Sequence, residues 1–287
     1  MIDNKIFWIA SYLKSGNTWV RSFLSSYLFT KDGSFDFHTL KKIQQFESFN
    51  FFSKYLNKDR VKSHPSDISK YWLEAQKNLK IQNGNTAFLK THNFCGILNE
   101  NHFTNSKLTR GFIYVVRDPR EVVVSYSNFT NQNIEKSIDI ILKGSLNNPI
   151  FTELKDDAYP VFLCNWGINY MSWKSFKKVP GIIIKYEDLK EKTDESFYKI
   201  INFLEKLGLT KYDKIKFSNS MKNTSFERLK KLEENYGFEE FKNSNEKMFF
   251  NKAKINSWKD ILTSNQIKEI EKKYYYEMSE LGYIKNS

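Results

Sequence analysis

"IASYLKSGNTWVRSFL", Ile9 to Leu24, is the stretch on which the fold turns. An apolar run, Ile6–Ala10, leads into a Lys-Ser-Gly turn. Out of that turn grows an amphipathic segment with Trp19, Val20, Phe23, Leu24, Tyr27 and Leu28 on one face. The pattern passes from a short continuous apolar run to a helical period, so the stretch reads as strand, loop, helix. A helix N-terminus has amides with no partner inside the helix and carries the positive end of its dipole. With a lysine alongside, it makes a site for phosphate or sulfate.

Three further β-branched or aromatic runs, Thr86–Thr91, Phe112–Arg117 and Gly181–Lys185, read as buried parallel strands separated by helical pattern. The predicted helices include Ser66–Lys80, the "REVVVSYSNF" stretch that follows Pro119, the "FLCNWGINYMSWKSF" stretch, and a closing "TSNQIKEIEKKYYYEMSELGY". Strands alternating with helices imply an α/β chain with a central parallel sheet flanked by helices, read as a single domain over residues 1–287. Ligands of such sheets gather beyond the carboxyl ends of the strands. Those ends read Lys14-Ser15-Gly16, "KTH" (Lys90–His92), "RDPR" (Arg117–Arg120) and "YED" (Tyr186–Asp188).

The loop is not that of an ATP or GTP enzyme. Such a loop places its lysine after the second glycine, whereas Lys14 precedes the one glycine present, Gly16. A magnesium-nucleotide site also wants a carboxylate ending a neighbouring strand, and here the third run ends in Arg117. A guanidinium grips a doubly charged phosphate through two parallel hydrogen bonds. Arg117 and Arg120 are two of only six arginines in the chain. The expectation is a metal-free site whose cationic side chains neutralise a nucleotide bearing phosphates at two places.

Bulk properties fit an anionic ligand without demanding a polyanion. The net charge is +12, but lysine supplies most of the 45 basic residues. No dense basic run interleaves with aromatics, so nucleic acid is not the expected partner. Two cysteines make no disulfide framework, and the N-terminal apolar stretch is too short for a signal peptide or a membrane span. A cytoplasmic location with no membrane partner is the expectation.

"YLKSGNTW" (Tyr12–Trp19) resembles the phosphosulfate-binding loop of the soluble sulfotransferases, usually Tyr-Pro-Lys-Ser-Gly-Thr/Asn-Thr-Trp. "LKTH" (Leu89–His92), "YVVRDPREVVVSY" (Tyr114–Tyr126), "YEDL" (Tyr186–Leu189), "NTSFERLKKLE" (Asn223–Glu233) and "FFNKAKINSWKDILT" (Phe249–Thr263) match that family's later segments in order. The resemblance runs from Phe7 to Tyr283. It implies the sulfotransferase fold, P-loop-like in its first loop. The implied donor is 3′-phosphoadenosine 5′-phosphosulfate (PAPS), with 3′,5′-ADP (PAP) as product and a hydroxyl or amine of a small molecule as acceptor.

The resemblance also implies roles. Lys14 would balance charge growing on the leaving phosphate, and Ser15, Gly16, Asn17 and Thr18 would cradle the 5′-phosphate. His92 would be the general base, and Lys90 would hold the sulfuryl oxygens. Lys90 stands two positions before His92 and so shares its face of the strand. Arg117 and Ser125 would bind the 3′-phosphate, Ser125 also touching Lys14. Trp19 and Phe226 would stack the adenine, with Tyr186, Thr224 and Ser225 at its edge. His38, His64 and His102 have no comparable context.

The sequence departs from the family in its closing segment. Asn251, Lys252 and Ala253 stand where the family has Arg-Lys-Gly, and Asn256 replaces a second glycine. Losing the arginine predicts a weaker grip on the 3′-phosphate, while asparagine tolerates the left-handed turn that glycine favours. The family's dimer motif is degraded, with Lys268 at its acidic position. The aromatic stretch Phe35–Leu56, with Tyr126 and Phe129, reads either as a wall of the acceptor pocket or as packing on the sheet. A nucleotide kinase and an inactive nucleotide- or nucleic-acid-binding relative are the alternatives.

Overall fold

The computed structural model describes residues 5–79, 81, 86–144, 150–151, 159–238, 248–250 and 255–284. The central sheet contains β1 (Ile6–Ser11), β2 (Gln44–Gln45), β3 (Ala87–Thr91), β4 (Thr109–Val116) and β5 (Gly181–Lys185). Its order is β2-β3-β1-β4-β5, and every pairing is parallel. The four expected strands are all present. β2 is a two-residue edge, too short to show a period.

β1 lies at the centre with all six residues buried, as a strand covered on both faces must be. Its alternation assigns Ile6, Trp8 and Ala10 to one core and Phe7 and Ile9 to the other. β4 divides in the same way, Phe112, Tyr114 and Val116 against Ile113 and Val115. The first core is closed by Trp72, Phe103, Trp166 and Trp173, the second by Trp19, Phe23, Phe197 and Ile200.

Helix α1 (Asn17–Phe29) leaves the first loop and packs on the second core. α2 (Pro119–Thr130) starts with proline at its first turn, and Asp118 accepts the Arg120 amide at 2.9 Å as its cap. α3 (Trp166–Lys174) is capped by Asn165. α4 (Tyr186–Glu191) follows β5 directly, and α5 (Phe226–Tyr236) is capped by Ser225. The stretch expected as one helix from Ser66 is a 3₁₀ segment, Pro65–Tyr71, continued by an α-helix, Trp72–Lys77. The closing helix is likewise divided at Tyr274, into Ser264–Lys273 and Tyr275–Glu280. Tyr274 is held in the core against Trp166, with its hydroxyl donating to the Ile141 carbonyl.

Much of the aromatic stretch 35–56 is consumed by packing. Phe46 and Phe52 are fully buried against Trp8 and Tyr159, and Phe37 lies against Phe238 and Phe250. Phe49, 44% exposed, is the large aromatic left at the surface of this stretch. No helix among the described residues is long and apolar enough to cross a membrane.

Candidate active site

The sheet order puts β1 between β3 and β4, so the carboxyl ends of three neighbouring strands open onto one mouth. Tyr12–Gly16 turns at that mouth. Lys14 and Gly16 both have positive φ, 59° and 96°, and the two reversals fold the chain tightly enough to start α1 at Asn17. A Cβ on Gly16 would come 2.5 Å from Cδ2 of Tyr186, so the glycine is required by space as well as by φ. Trp19 and Val20 both donate to the Gly16 carbonyl. The amides of Asn17 and Thr18 therefore lie ahead of the helix's own bonds, the position from which a helix N-terminus can bind an anion.

Side chains in the loop take different parts. Ser15 is buried, its hydroxyl directed at the Leu13 carbonyl at 3.4 Å. Asn17 turns inward, donating to the Ile9 carbonyl at 3.0 Å and to the Ser11 hydroxyl at 3.2 Å, so its amide group braces the end of β1. Thr18 is buried at the first turn of α1.

The Lys14 ammonium sits 4.0 Å from the ring centroid of Phe129 and 4.4 Å from that of Phe249. Burial, then the Arg117 guanidinium and the Lys90 ammonium, push it down to about 7, while Glu233 pulls the other way. Three cations are thus brought within electrostatic reach of one another. A multiply charged anion would relieve that crowding.

Arg117, at the end of β4, donates from one terminal nitrogen to the Lys14 carbonyl at 3.0 Å and lies 4.3 Å above the Tyr186 ring. Its other terminal nitrogen is 3.5 Å from Glu121, one turn along α2. Ser125 is one turn beyond Glu121 and one turn before Phe129, so α2 presents all three on the face toward the loop. Arg120 is a correction. Expected among the phosphate-facing cations, it is bound to Asp118 and Glu271, both at 2.5 Å, and stacks on Trp258 at 3.8 Å. Those partners neutralise it, and it ties α2 to the C-terminal segment.

His92 follows β3 and is buried, 5% exposed. Its Nδ1 lies 2.8 Å from the Ser11 carbonyl and 3.1 Å from the Ser11 hydroxyl. A carbonyl oxygen can only accept, so Nδ1 carries the proton in the neutral ring and the lone pair is on Nε2. The His92 carbonyl is held by Asn169 at 3.0 Å. His38, His64 and His102 are exposed.

Trp19 packs edge-on against Phe197 and Tyr186, and its indole nitrogen donates to the Thr224 carbonyl at 2.9 Å. The Lys190 ammonium stands over both Trp19, at 5.6 Å, and Phe226, at 5.2 Å. The Thr224 hydroxyl bonds back to the Ser220 carbonyl, and the Ser225 hydroxyl accepts the Arg228 amide, so both hydroxyls have local partners. Asn251, Lys252 and Ala253 lie outside the described residues. On either side of them, Phe249 and Phe250 donate to Glu233, and Ser257 and Trp258 donate to Glu121. Asn256 has φ 64°, the left-handed turn expected of it.

Glu47, Glu121 and Lys190 were not anticipated from the sequence. Glu121 is four residues after Arg117 and Lys190 four after Tyr186, a helical spacing that would have found both. Glu47 carries no such local signal.

Comparison with known proteins identifies the family and the fold. The model of the sulfotransferase domain family matches residues 4–282. Flavonol 3-sulfotransferase of Flaveria bidentis is 27% identical, the match covering 94% of this chain and 80% of that one. Amine sulfotransferase of Oryctolagus cuniculus is 28% identical over 58% of this chain and 54% of its own. Among solved structures, mouse sulfotransferase SULT7A1 complexed with PAP superposes with a TM-score of 0.62 at 20% identity, covering 97% of this chain and 87% of that one. Retinol dehydratase in a complex with retinol and PAP gives a TM-score of 0.63 at 17% identity, covering 95% and 81%. The chain belongs to the sulfotransferase domain family, whose sulfuryl donor is PAPS.

Proposed function

We propose that this protein transfers the sulfuryl group of PAPS to a hydroxyl or amine of a small molecule, with His92 as general base. The observation that carries the proposal is the convergence of Lys14, Lys90, Arg117 and His92 on one mouth. PAPS fits this set because it brings a phosphosulfate to the loop after β1 and a second phosphate to a strand-end guanidinium. Bound there, it supplies an activated sulfuryl group.

The chain's own residues then divide the work. The amides of Asn17 and Thr18, with the loop's positive φ pair, bind phosphate oxygens without metal. Lys14 holds a proton beside the leaving oxygen, and Lys90 adds charge on the sulfuryl side. Arg117 and Ser125 bind and orient the 3′-phosphate. Trp19 and Phe226 offer aromatic faces to the base, and Tyr186, Thr224 and Ser225 shape its edge. His92 accepts the acceptor proton at Nε2 because Ser11 fixes the opposite nitrogen as donor. Asn251, Lys252 and Ala253 are proposed to close over the 3′-phosphate with a weaker grip than an arginine would give. We further propose that the protein acts as one domain in the cytoplasm on a small molecule rather than a nucleic acid. The flavonol and amine named for its relatives suggest which acceptors to try first.

Labelled PAPS offered with a panel of phenols, flavonols and amines tests the proposal. Sulfated product is expected from the wild type. His92→Ala is expected to lose on the order of 10²–10⁴-fold in turnover, the worth of a placed base, while still binding PAP. Full activity in His92→Ala would remove the histidine from the mechanism.

A further inference from the structure

Glu47 follows β2 at the sheet edge and is fully buried. β2 pairs Gln45 with Lys90, and the Phe46 amide continues the ladder by donating to the Lys90 carbonyl at 2.9 Å. The glutamate is thereby delivered to the end of β3. One carboxylate oxygen, Oε1, accepts the Thr91 hydroxyl at 2.5 Å and the Asn93 amide group at 2.7 Å. Thr91 and Asn93 are the two chain neighbours of His92. The Thr91 hydroxyl accepts in turn from the Asn93 amide at 3.0 Å, which closes the turn around the histidine. The other oxygen, Oε2, is buried with no hydrogen-bond partner among the described residues.

We propose that Glu47 is a positioning residue for the general base, clamping Thr91 and Asn93 so that the His92 ring stays seated on the Ser11 carbonyl. This rests on the reading of His92 given above. Burying a carboxylate with an unpartnered oxygen is costly, and an apolar side chain of similar size would be cheaper there. Burial pushes the group up to about 7, while the Thr91 hydroxyl, the Glu47 backbone N–H, the Lys90 ammonium and the Asn93 side-chain amide pull it back. Asn93 is itself locked, its side-chain oxygen accepting the Phe162 amide at 2.7 Å and its carbonyl accepting the Trp173 indole at 2.9 Å. Glu47 thus joins the histidine turn to a rigid frame.

The test compares Glu47→Gln, which keeps an acceptor at Oε1, with Glu47→Ala, which removes it. ¹⁵N-histidine-labelled protein without donor contains only four histidines, and His92→Asn assigns the ring. The wild type and Glu47→Gln are expected to show one Nδ1-protonated ring, and Glu47→Ala a tautomeric mixture. With labelled PAPS and naphthol, kcat of Glu47→Ala should fall on the order of 10²-fold, the cost of a misplaced catalytic group. KM for PAPS and affinity for PAP should stay within about twofold, and Glu47→Gln should recover most of the rate. A wild-type ring signature in Glu47→Ala would overturn the proposal. If Glu47→Ala does not fold, Thr91→Val removes one clamp bond isosterically and is read the same way. Failure of PAP to bind the wild type would instead defeat the donor reading, and the ring signature would still decide Glu47.

Discussion

Arg117 donates to the backbone carbonyl of Lys14 at 3.0 Å, joining the end of β4 to the loop after β1. The bond holds a residue in the left-handed region, φ 59°, and leaves the guanidinium plane resting on Tyr186 at 4.3 Å. One side chain therefore shapes the loop and, in the role proposed for it, presents charge to a ligand. Arg117→Lys keeps the charge but loses the planar fork that serves both tasks. Its affinity for PAP should fall about 10- to 100-fold, the worth of a charge-assisted hydrogen bond of about 1.5–3 kcal/mol. Isothermal calorimetry reads this directly.

Gly16→Ala should fail for two separable reasons. Its φ of 96° strains any L-residue, and its Cβ would overlap the Tyr186 ring. A loss of about 1–2 kcal/mol in unfolding free energy is expected from the backbone alone, with more from the overlap. Adding Tyr186→Ala should relieve the overlap and leave the backbone strain. The double variant is then better tolerated than the sum of the two single changes implies, which a denaturation cycle will show.

Lys14 links donor binding to protons. Its folded value of about 7 lies below the ordinary 10.5. Between these values the unfolded chain holds a proton that the folded chain sheds, so Lys14 makes the donor-free protein more stable as pH rises through the window. A bound dianion favours the ammonium again. At pH 8, PAP binding should take up a fraction of a proton, no more than about one from this group. Calorimetry in buffers of different ionisation enthalpy measures the uptake, and Lys14→Met should abolish it.

Trp19 and Phe226 should separate by consequence although both face Lys190. Trp19 is buried in the core and hydrogen-bonded to Thr224, so Trp19→Ala should cost about 3–5 kcal/mol of stability. Phe226 is only partly buried. Phe226→Ala should unfold near the wild-type temperature while losing about 1–3 kcal/mol of PAP affinity, the worth of one stacked base. Thermal melts with and without PAP distinguish the two.

The loop after β1 was legible because its signals are local: an apolar run, a lysine and glycine able to reverse the chain, and a helical period. The same holds for the other strand ends. Some of what escaped depends on partners far along the chain, and some on nearer ones. Arg120 carries the charge of a phosphate ligand but is neutralised in part by Glu271, 151 residues away. Asn17 sits in the anion loop yet spends its amide group on β1, because Ile9 and Ser11 offer nearer acceptors. Ser225 became a helix cap, a role its position before Phe226 already permitted. Glu47 was hidden because β2 is two residues long, and only the sheet brings that edge to His92.

The cations at this mouth are proposed to bind a bisphosphorylated adenosine without a divalent metal. Calorimetric titration of the wild type with 3′,5′-ADP in the presence of EDTA tests this most directly. Saturable one-to-one binding, weakened in both Lys14→Met and Arg117→Lys and absent for ATP under the same conditions, is the predicted result. No binding of 3′,5′-ADP, with ATP bound only when magnesium is restored, would instead make the mouth a magnesium-nucleotide site.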